Sequence, residues 1–361
     1  MGESKTCIIF MGKEAAKKSG YTVIVLICFL IAGFTVYGAF PVEAENSVLH
    51  SYITLLMPGI IILNIIIALY WVFRKKIWWI INVAAILANW NYLAAVVQIR
   101  NNDTVGTSAL KVATYNVRSF NNDYTGYSAQ EIARLMSEEN VDVFCMQEYS
   151  AGVHFNLDSL GYTFGMYFPY NSVPENKEGG TRLAVYSKYP LVKCVFVPFK
   201  NSDNCAMWCD INIKGDTIRL FNLHLQTTSL NQEMARNNRR KIDAGGTVEN
   251  ISKTLFANIE IRDRQAKDIA GLVKESPYPV ILAGDFNSIP STYTYHIIAG
   301  VLKDGFKSCG SGYQYTFNRI YRLLRIDYIF HSENIKGSKY YSLHEPFSDH
   351  NPVFMEFETI K

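Results

Sequence analysis

The apolar residues of this chain are concentrated in its first hundred positions. Three long apolar runs lie there, at about 21–40, 52–73 and 78–97. Each run approaches the ~20 residues that a helix needs to cross the hydrocarbon core of a bilayer. A cleaved signal peptide is the alternative for the first run, but two more runs follow it, and no convincing small-residue cleavage site is present. The pattern therefore predicts three transmembrane helices.

Basic residues predict the orientation of these helices. Lys and Arg residues precede the first run and lie between the second and third, whereas the loop 41–51 contains Glu43 and Glu45 and no Lys or Arg. Because cytoplasmic loops carry the excess of basic residues, the N-terminus is predicted to be cytoplasmic. Three crossings then place the remainder of the chain on the extracytoplasmic side. Residues 1–100 are predicted to be the membrane anchor, and residues 101–109 a linker.

Residues 110–361 alternate between strand and helix patterns. Helices are predicted at 128–139 and 261–274. Strands are predicted at 111–116, 141–146, 181–187, 192–198, 206–213, 217–223, 325–330 and 351–358, and in the apolar run that breaks at Gly284. Consecutive strands mixed with strand–helix–strand units predict an α/β fold in which helices cover mixed sheets.

Charge narrows the class of partner. Residues 101–361 hold 27 Lys+Arg and 28 Asp+Glu, a net charge of −1, and residues 1–100 hold 8 and 4, a net charge of +4. The whole-chain charge of +3 therefore comes from the predicted anchor. The soluble part lacks the basic excess that is typical of a nucleic-acid-binding domain.

Five of the seven cysteines follow the apolar runs. Cys205 and Cys209 are candidates for a disulfide in an oxidising compartment. Cys145 lies inside an apolar strand pattern and is predicted to be a core residue.

Polar residues that suit metal-assisted chemistry stand at predicted strand ends. The apolar strand before Gly284 is followed at once by Asp285 and Asn287, although an Asx turn that merely closes the strand is the alternative for this motif alone. Similar groups occur elsewhere at Asn116, Glu148, His224, Asp327, Asp349 and His350. Acid and amide oxygens are the ligands that Mg²⁺ prefers, with Mn²⁺ as the second candidate, and no His/Cys spacing is typical of zinc.

Taken in order, these groups lie in motifs that resemble those of the endonuclease/exonuclease/phosphatase superfamily. The motifs are Thr-Tyr-Asn-Val at 114–117, Gln-Glu at 147–148, Asn-Leu-His-Leu at 222–225, Gly-Asp-Phe-Asn-Ser-Ile-Pro at 284–290, Arg-Ile-Asp-Tyr-Ile-Phe at 325–330 and Ser-Asp-His-Asn-Pro-Val at 348–353. The resemblance covers residues 110–358. It implies a four-layered α/β sandwich, with two packed mixed sheets flanked by helices and an active site at one sheet edge.

The resemblance also implies how a metal is held. Glu148 and Asn116 would ligate it, with Asp349 as a further ligand. The chain departs from abasic-site endonucleases after Asn116, where Arg118 stands in place of the usual acid, and this disfavours a function in DNA repair. Arg118 either reaches a substrate phosphate or forms a salt bridge with a carboxylate of the site.

The catalytic roles are implied in the same way. Asp285, helped by Asn287, would orient or deprotonate the attacking water. His350, oriented by Asp327, would donate to the phosphoryl oxygens, and His224 would stabilise the phosphate or the leaving group. A carboxylate on one imidazole nitrogen favours the cationic ring, which suits that role.

The sequence therefore predicts a membrane-anchored, Mg²⁺-dependent phosphoric-ester hydrolase outside the cytoplasm. Phospholipid head groups are the favoured substrate because the anchor holds the site near a bilayer. The alternative is a surface nuclease acting on extracellular DNA or RNA, in which Tyr293, Tyr295, Tyr313 and Tyr315 would stack on bases. A binding module that keeps the fold without catalysis is a third hypothesis, which the complete set of motif residues disfavours.

Overall fold

The structure is a computed structural model, and it describes residues 3–100, 109–121, 123, 125–151, 156–175, 182–228 and 244–360. The predicted linker at 101–109 lies outside the described residues, except for residue 109. The chain forms two compact units. One contains residues 1–41 and 52–92, and the other contains residues 42–51 and 93–361.

The apolar N-terminal segments are helical, and one of them is long and apolar enough to cross a membrane by itself. That segment is Gly20–Tyr37, within the helix Glu3–Tyr37. The second and third predicted spans are each broken into two helices. Val48–Leu55 and Met57–Phe73 are bent by 67°, and Trp79–Ala88 and Trp90–Val96 by 70°. Each pair has the length and composition of a span only if it is taken as one bent element.

Local chemistry accounts for the first break, and a polar contact marks the second. Pro58 lies in the first turn of Met57–Phe73, where its missing N–H is tolerated, and the residues before a proline seldom continue a helix. At the second break, the Asn89 amide donates to the Thr35 carbonyl at 2.7 Å and to the Ala85 carbonyl at 3.2 Å. A buried polar contact of this kind holds apolar helices together.

The larger unit contains two six-stranded mixed sheets, and the first is built from the following strands. They are β2 (Leu110–Asn116), β3 (Val143–Gln147), β4 (Tyr170–Ser172), β5 (Ala184–Ser187), β13 (Ile335–Ser342) and β14 (Val353–Ile360). Their order is β13-β14-β2-β3-β5-β4. Strands β2 and β3 are parallel, and the helix Tyr127–Glu138 makes the crossover that a parallel pair requires.

The second sheet repeats this plan. Its strands are β6 (Leu191–Pro198), β7 (Cys205–Ile213), β8 (Asp216–His224), β9 (Val280–Asp285), β10 (Lys303–Asp304) and β12 (Asp327–His331). Their order is β10-β12-β9-β8-β7-β6, and β8 and β9 are parallel. The helix Ala244–Lys274 precedes β9. Two short strands, β1 (Val97–Gln98) and β11 (Gly312–Tyr313), pair separately.

The two sheets pack face to face around one hydrophobic core. Val112 and Val143 of the first sheet meet Leu220 and Ile281 of the second in this core. Because successive residues of a strand face opposite sides, each sheet also buries a second apolar face under helices. The helices are Tyr127–Glu138 and Leu157–Gly165 on the first sheet, and Ala244–Lys274 and Tyr293–Ala299 on the second. The predicted pair of mixed sheets flanked by helices is confirmed.

Several elements differ from the prediction. Three of these elements were not predicted, because they carry too few alternating or periodic apolar residues to be recognised from the local sequence. They are strand β13 and the helices Leu157–Gly165 and Tyr293–Ala299. The helix predicted at 261–274 is the second half of Ala244–Lys274.

The cysteine pairing is a correction. The disulfide joins Cys194 on β6 to Cys209 on β7, two residues that stand opposite each other across the antiparallel pair. The predicted pairing of Cys205 with Cys209 is wrong because both lie on β7, four residues apart. That spacing is ~13 Å along a strand, beyond the reach of a disulfide. Cys145 is a fully buried core residue, as predicted.

Gly284 permits the close approach of β9 to β8 directly before Asp285. Its φ is +146°, and a Cβ at this position would collide with the carbonyl oxygen of Leu223 on β8. Glycine alone adopts this conformation without strain and leaves the necessary space.

Replacing Gly284 with alanine is therefore expected to lower the free energy of unfolding by about 3 kcal/mol or more, since a side-chain movement cannot relieve a clash with the backbone. The matched control is Gly271→Ala, in the helix Ala244–Lys274, where a Cβ meets nothing within 4 Å. The control is expected to raise the free energy of unfolding by roughly 0.5–1 kcal/mol. Chemical denaturation of the full chain in detergent measures both. An unchanged midpoint for Gly284→Ala would contradict the close approach.

Candidate active site

Polar side chains from both sheets meet at one edge of the sandwich. Asn116 ends β2, Glu148 follows β3, and Asp285 ends β9. The Asn116 amide nitrogen donates to Glu148 Oε1 at 3.1 Å and to Asp285 Oδ2 at 3.0 Å. Its oxygen accepts the backbone N–H of Arg118 at 3.0 Å, which fixes the direction of the amide. Asn116 therefore links one carboxylate from each sheet.

His224 ends β8 and lies beside the same carboxylates. Its Nε2 is 3.6 Å from Asp285 Oδ2 and 3.9 Å from Glu148 Oε1. The ring is completely buried, and neither nitrogen has a hydrogen bond partner among the described residues. A buried imidazole without partners is costly unless a ligand completes it. His224 thus presents unmatched polar atoms to the site.

His350 and Asp327 form a buried ion pair. The His350 Nδ1 donates to Asp327 Oδ2 at 2.9 Å, and its Nε2 lies 3.8 Å from Asp285 Oδ2. Burial alone would lower the pKa of His350, but the charges of Asp327 and Asp285 outweigh it and raise the pKa to about 10. The imidazolium form is thus favoured, with Nε2 left to donate to another group.

Asn287 fixes the orientation of Asp285. Its backbone N–H donates to Asp285 Oδ1 at 2.8 Å, and its side-chain amide donates to the Leu225 carbonyl at 3.0 Å. The residue adopts a left-handed φ of +49°, which asparagine tolerates better than most residues. Asp285 can therefore close the strand through an Asx turn and still serve in the site. Its Oδ1 accepts the N–H of the turn, and its Oδ2 remains directed at Asn116.

Two hydroxyl groups that the sequence argument missed support this arrangement. The Thr316 Oγ1 accepts the backbone N–H of Asp327 at 3.0 Å. The Ser348 Oγ donates to the Asn116 carbonyl at 2.7 Å and accepts the His350 N–H at 3.2 Å. Ser348 belongs to the Ser-Asp-His motif and could have been identified there. Thr316 lies in an irregular segment, and no local pattern indicates its contact.

A buried polar network joins the sheets behind the site. The Gln147 amide nitrogen donates to Asn222 Oδ1 at 2.7 Å and to Thr114 Oγ1 at 3.0 Å. In turn the Asn222 nitrogen donates to the carbonyls of Met146 and Ala184, each at 3.0 Å. Fully satisfied networks of this kind specify one packing of a core. They explain why the Gln-Glu and Asn-Leu-His-Leu motifs each contain an amide residue within two positions of a site residue.

Asp349 and Arg118 have a different environment from the other site residues. The Asp349 Oδ2 lies 3.4 Å from Arg118 Nε and 2.9 Å from Arg319 Nε. The structure thus shows the salt bridge that was the alternative for Arg118. Two guanidinium groups balance the Asp349 carboxylate, and its role as a metal ligand stays a prediction, as does phosphate binding by Arg118.

One of the tyrosines proposed to stack on bases cannot do so. Tyr295 is 2% exposed and donates its hydroxyl to Asp304 at 2.7 Å. Tyr293 is half-buried, with the Lys267 ammonium 5.9 Å from its ring centre. The prediction for Tyr295 is therefore wrong, because its ring belongs to the core under the second sheet.

The donor set fits a divalent cation. Glu148 and Asp285 direct carboxylate oxygens at one amide nitrogen, beside the unmatched nitrogens of His224. Asp285, Asp327 and His350 also offer ligand atoms within 4.8 Å of one another. Carboxylate oxygens are the ligands of hard cations. Asn116 directs its nitrogen inward, so ligation through its oxygen stays a prediction.

A strand-edge cluster of carboxylates and imidazoles on two packed mixed sheets is the arrangement expected of a metal-dependent phosphoric-ester hydrolase. The chain belongs to the endonuclease/exonuclease/phosphatase family, whose model matches residues 113–350, and members of this family typically depend on a divalent metal. Residues 19–96 match a domain of unknown function. No curated protein sequence matches the chain.

Solved structures are similar in fold. An endonuclease/exonuclease/phosphatase from Bacteroides vulgatus has 18% identity and a TM-score of 0.52, covering 70% of this chain and 99% of that one. A family protein from Bacteroides thetaiotaomicron has 21% identity and a TM-score of 0.51, covering 70% and 98%. A humanized D. rerio TDP2 has 16% identity and a TM-score of 0.50, covering 69% and 99%. Identities this low support the fold alone.

Replacing Asp327 with asparagine is expected to lower the pKa of His350 from about 10, because burial then acts with one opposing charge fewer. NMR titration of the imidazole signals of the full chain in detergent, with a chelator, measures this change. His350→Gln identifies the signal.

The control for this titration is Asp210→Asn, whose carboxylate pairs with Arg219 at 2.7 Å nearer the other end of β8. Because the folded-state pKa of His350 is raised, its charged form stabilises the fold fully below the ordinary pKa, and this stabilisation is lost as pH rises through about 10. An unshifted titration in Asp327→Asn would contradict the ion pair.

Proposed function

We propose that the chain is a membrane-anchored, Mg²⁺-dependent phosphoric-ester hydrolase whose site faces the extracytoplasmic side. The observation that carries this proposal is the meeting of Asn116 and Glu148 from one sheet with His224 and Asp285 from the other. The four side chains lie within 3.9 Å of a neighbour in the cluster. Mg²⁺ suits their carboxylate oxygens, and Mn²⁺ is the second candidate.

The residues of the site divide the work of hydrolysis. Glu148 would hold the metal, with Asn116 and Asp349 as its predicted further ligands, and the metal would offset negative charge on the phosphoryl group during in-line attack by water. Asp285 Oδ2 orients the water and accepts its proton. The protonated His350 donates from Nε2 to a phosphoryl oxygen, and Asp327 keeps that ring charged. His224 donates to the oxygen of the leaving group.

The location proposed for the site is supported by the loop between the first two apolar segments. Residues 42–51 belong to the same compact unit as the sandwich. The Ala44 N–H donates to the buried carboxylate of Asp263 at 3.0 Å, whose other oxygen accepts the Thr294 hydroxyl at 2.6 Å. Glu43 forms an ion pair with Lys267. The loop is thus an integral part of the folded domain.

This contact constrains the path of the chain through a bilayer. A loop packed on the domain lies on the same side of the membrane as the domain, so the chain crosses an even number of times between residues 52 and 92. That number is even if each of the two bent segments crosses the bilayer once. With a cytoplasmic N-terminus, the first helix places the loop and the domain outside. The disulfide Cys194–Cys209 is in keeping with an oxidising compartment.

Phospholipid head groups are the proposed substrate, because an integral anchor holds the site near lipid. The surface nuclease stays the alternative, since the same catalytic groups would cleave a nucleic acid. The charge of −1 on residues 101–361 and the burial of Tyr295 count against it.

Asp285→Asn is expected to lower kcat for hydrolysis of bis(p-nitrophenyl) phosphate by about 10²- to 10⁴-fold, since the amide cannot accept a proton from water. The purified full chain is expected to lose activity in EDTA and regain it with Mg²⁺. Asp210→Asn is the control and is expected to keep wild-type activity. Wild-type activity in Asp285→Asn would exclude the proposed mechanism.

A panel of substrates separates the two candidate functions. Release of a phosphorylated head group from phospholipid vesicles supports the lipid hydrolase. Nicking of supercoiled plasmid with a steep salt dependence, and no product from vesicles, would replace it with the nuclease.

Glu43→Cys combined with Lys267→Cys is expected to form a disulfide in intact cells, because these side chains are paired in the folded domain. A membrane-impermeant reductant added outside the cells is expected to reduce it, since the pair faces outward. In the control, Lys303→Cys replaces Lys267→Cys, because Lys303 pairs with Glu333 instead, and no cross-link is expected. A cross-link that resists the external reductant would contradict the proposed sidedness.

A further inference from the structure

A cavity beside the catalytic edge has no role in the mechanism described above. Its volume is about 170 Å³, and Tyr313, Gln314, Tyr315, Tyr340, His344 and Asn351 are among the residues that line it. We call it the Gln314 pocket. A cavity of roughly 150 Å³ accommodates benzene, so the Gln314 pocket has room for a single six-membered ring.

Two chain segments connect the Gln314 pocket directly to the catalytic histidine. Asn351 follows His350, and its backbone N–H donates to the Thr316 carbonyl at 2.7 Å. On the other segment, Phe317 follows Thr316 and packs its ring against His350, with the ring centres 5.1 Å apart. The pocket residue Asn351 and the ring contact of Phe317 therefore place the Gln314 pocket one residue from His350 along the chain.

Gln314 provides unmatched hydrogen bonding inside the pocket. Its side chain is 5% exposed. The amide interacts weakly with the Tyr340 hydroxyl, and neither amide atom has a hydrogen bond of good geometry among the described residues. A buried polar group without a partner costs about 1–3 kcal/mol. A neighbouring pair of hydroxyl groups on a ligand would match both atoms, one donating to the oxygen and the other accepting from the nitrogen.

The charges around the pocket disfavour a cationic ligand. The Tyr340 ring already faces the Arg325 guanidinium at 5.5 Å, and the Tyr315 ring faces that of Arg322 at 5.8 Å. Aromatic rings attract a quaternary ammonium only when their faces are available and no protein cation is near. The lining residues include no carboxylate. The remaining chemistry is that of aromatic rings, amides and hydroxyl groups, which suits a neutral hydroxylated ring.

We propose that the Gln314 pocket binds the neutral hydroxylated ring, a sugar or a cyclitol, that carries the phosphoric ester. The proposal rests on the proposed function and narrows its substrate class to esters of ring polyols. Gln314 engages two adjacent hydroxyl groups, and the pocket holds the ring while His350 meets the phosphoryl group. Gln314 is thus a residue that determines specificity, and it takes no part in the chemical step.

Binding is tested with the free ring compounds myo-inositol and methyl α-glucoside, by saturation-transfer NMR on the full chain in detergent with EDTA. At least one of them is expected to bind saturably, and Gln314→Met is expected to weaken binding about tenfold, since two hydrogen bonds are lost from a side chain of similar volume. The matched control is Gln130→Met on the exposed face of Tyr127–Glu138. No saturable binding, binding unchanged in Gln314→Met, or saturable binding of choline or uridine in place of the polyols would overturn the proposal.

Measurement of hydrolysis is the second test, and it shows whether the ring belongs to a soluble ester or to a lipid head group. With Mg²⁺, Gln314→Met is expected to lower the ratio of kcat/KM for a ring-polyol phosphoric ester over that for bis(p-nitrophenyl) phosphate about tenfold. Glycerophosphoinositol and vesicles of phosphatidylinositol distinguish a soluble ester from a lipid head group. An unchanged ratio would overturn the proposal.

The two proposals fail in different ways. If the wild type hydrolyses no ester but polyol binding persists, also in Asp285→Asn, the proposed function is refuted and the proposed binding site in the Gln314 pocket stands. If the wild type hydrolyses bis(p-nitrophenyl) phosphate but binds no polyol, only the proposed ring binding in the Gln314 pocket is refuted.

Discussion

The hydrogen bonds of Asn116 are the contact on which the site depends. One amide nitrogen joins Glu148 of the first sheet and Asp285 of the second, at 3.1 and 3.0 Å. Two carboxylates would otherwise repel each other across the seam between the sheets. The Gln147–Asn222 network fixes the spacing of the sheets behind them. The site therefore exists only while both sheets keep this register, so stability and chemistry depend on the same contacts.

Charge at this edge is arranged so that each titratable group has a separate task. Asp327 is buried against His350 and keeps it cationic, which leaves Asp285 and Glu148 as the carboxylates directed into the cluster. Asp349 is withdrawn from them by two arginines. In the proposed mechanism, a phosphoric ester would meet a donor on one side and oxygen ligands for a cation on the other. This asymmetry is what in-line displacement at phosphorus requires.

The short loop 42–51 belongs to the compact unit that carries these side chains. Ala44 donates to Asp263 within the domain core, and Asp263 precedes Arg264 on the long helix that leads into β9. A segment that lies between two apolar runs of the sequence is therefore part of the same compact unit as the two sheets.

The sequence by itself determined the family, the α/β class and the positions of polar side chains such as Asp285 at strand ends, because these features depend on local turns and strand patterns. Only the tertiary structure decided that Asn116 donates to both carboxylates, that Asp349 pairs with Arg118, and that the apolar segments after the first are bent. Each of these outcomes depends on a distance between residues far apart in the chain. Local periodicity records which face of an element is apolar, but it carries no information about which polar group will stand opposite.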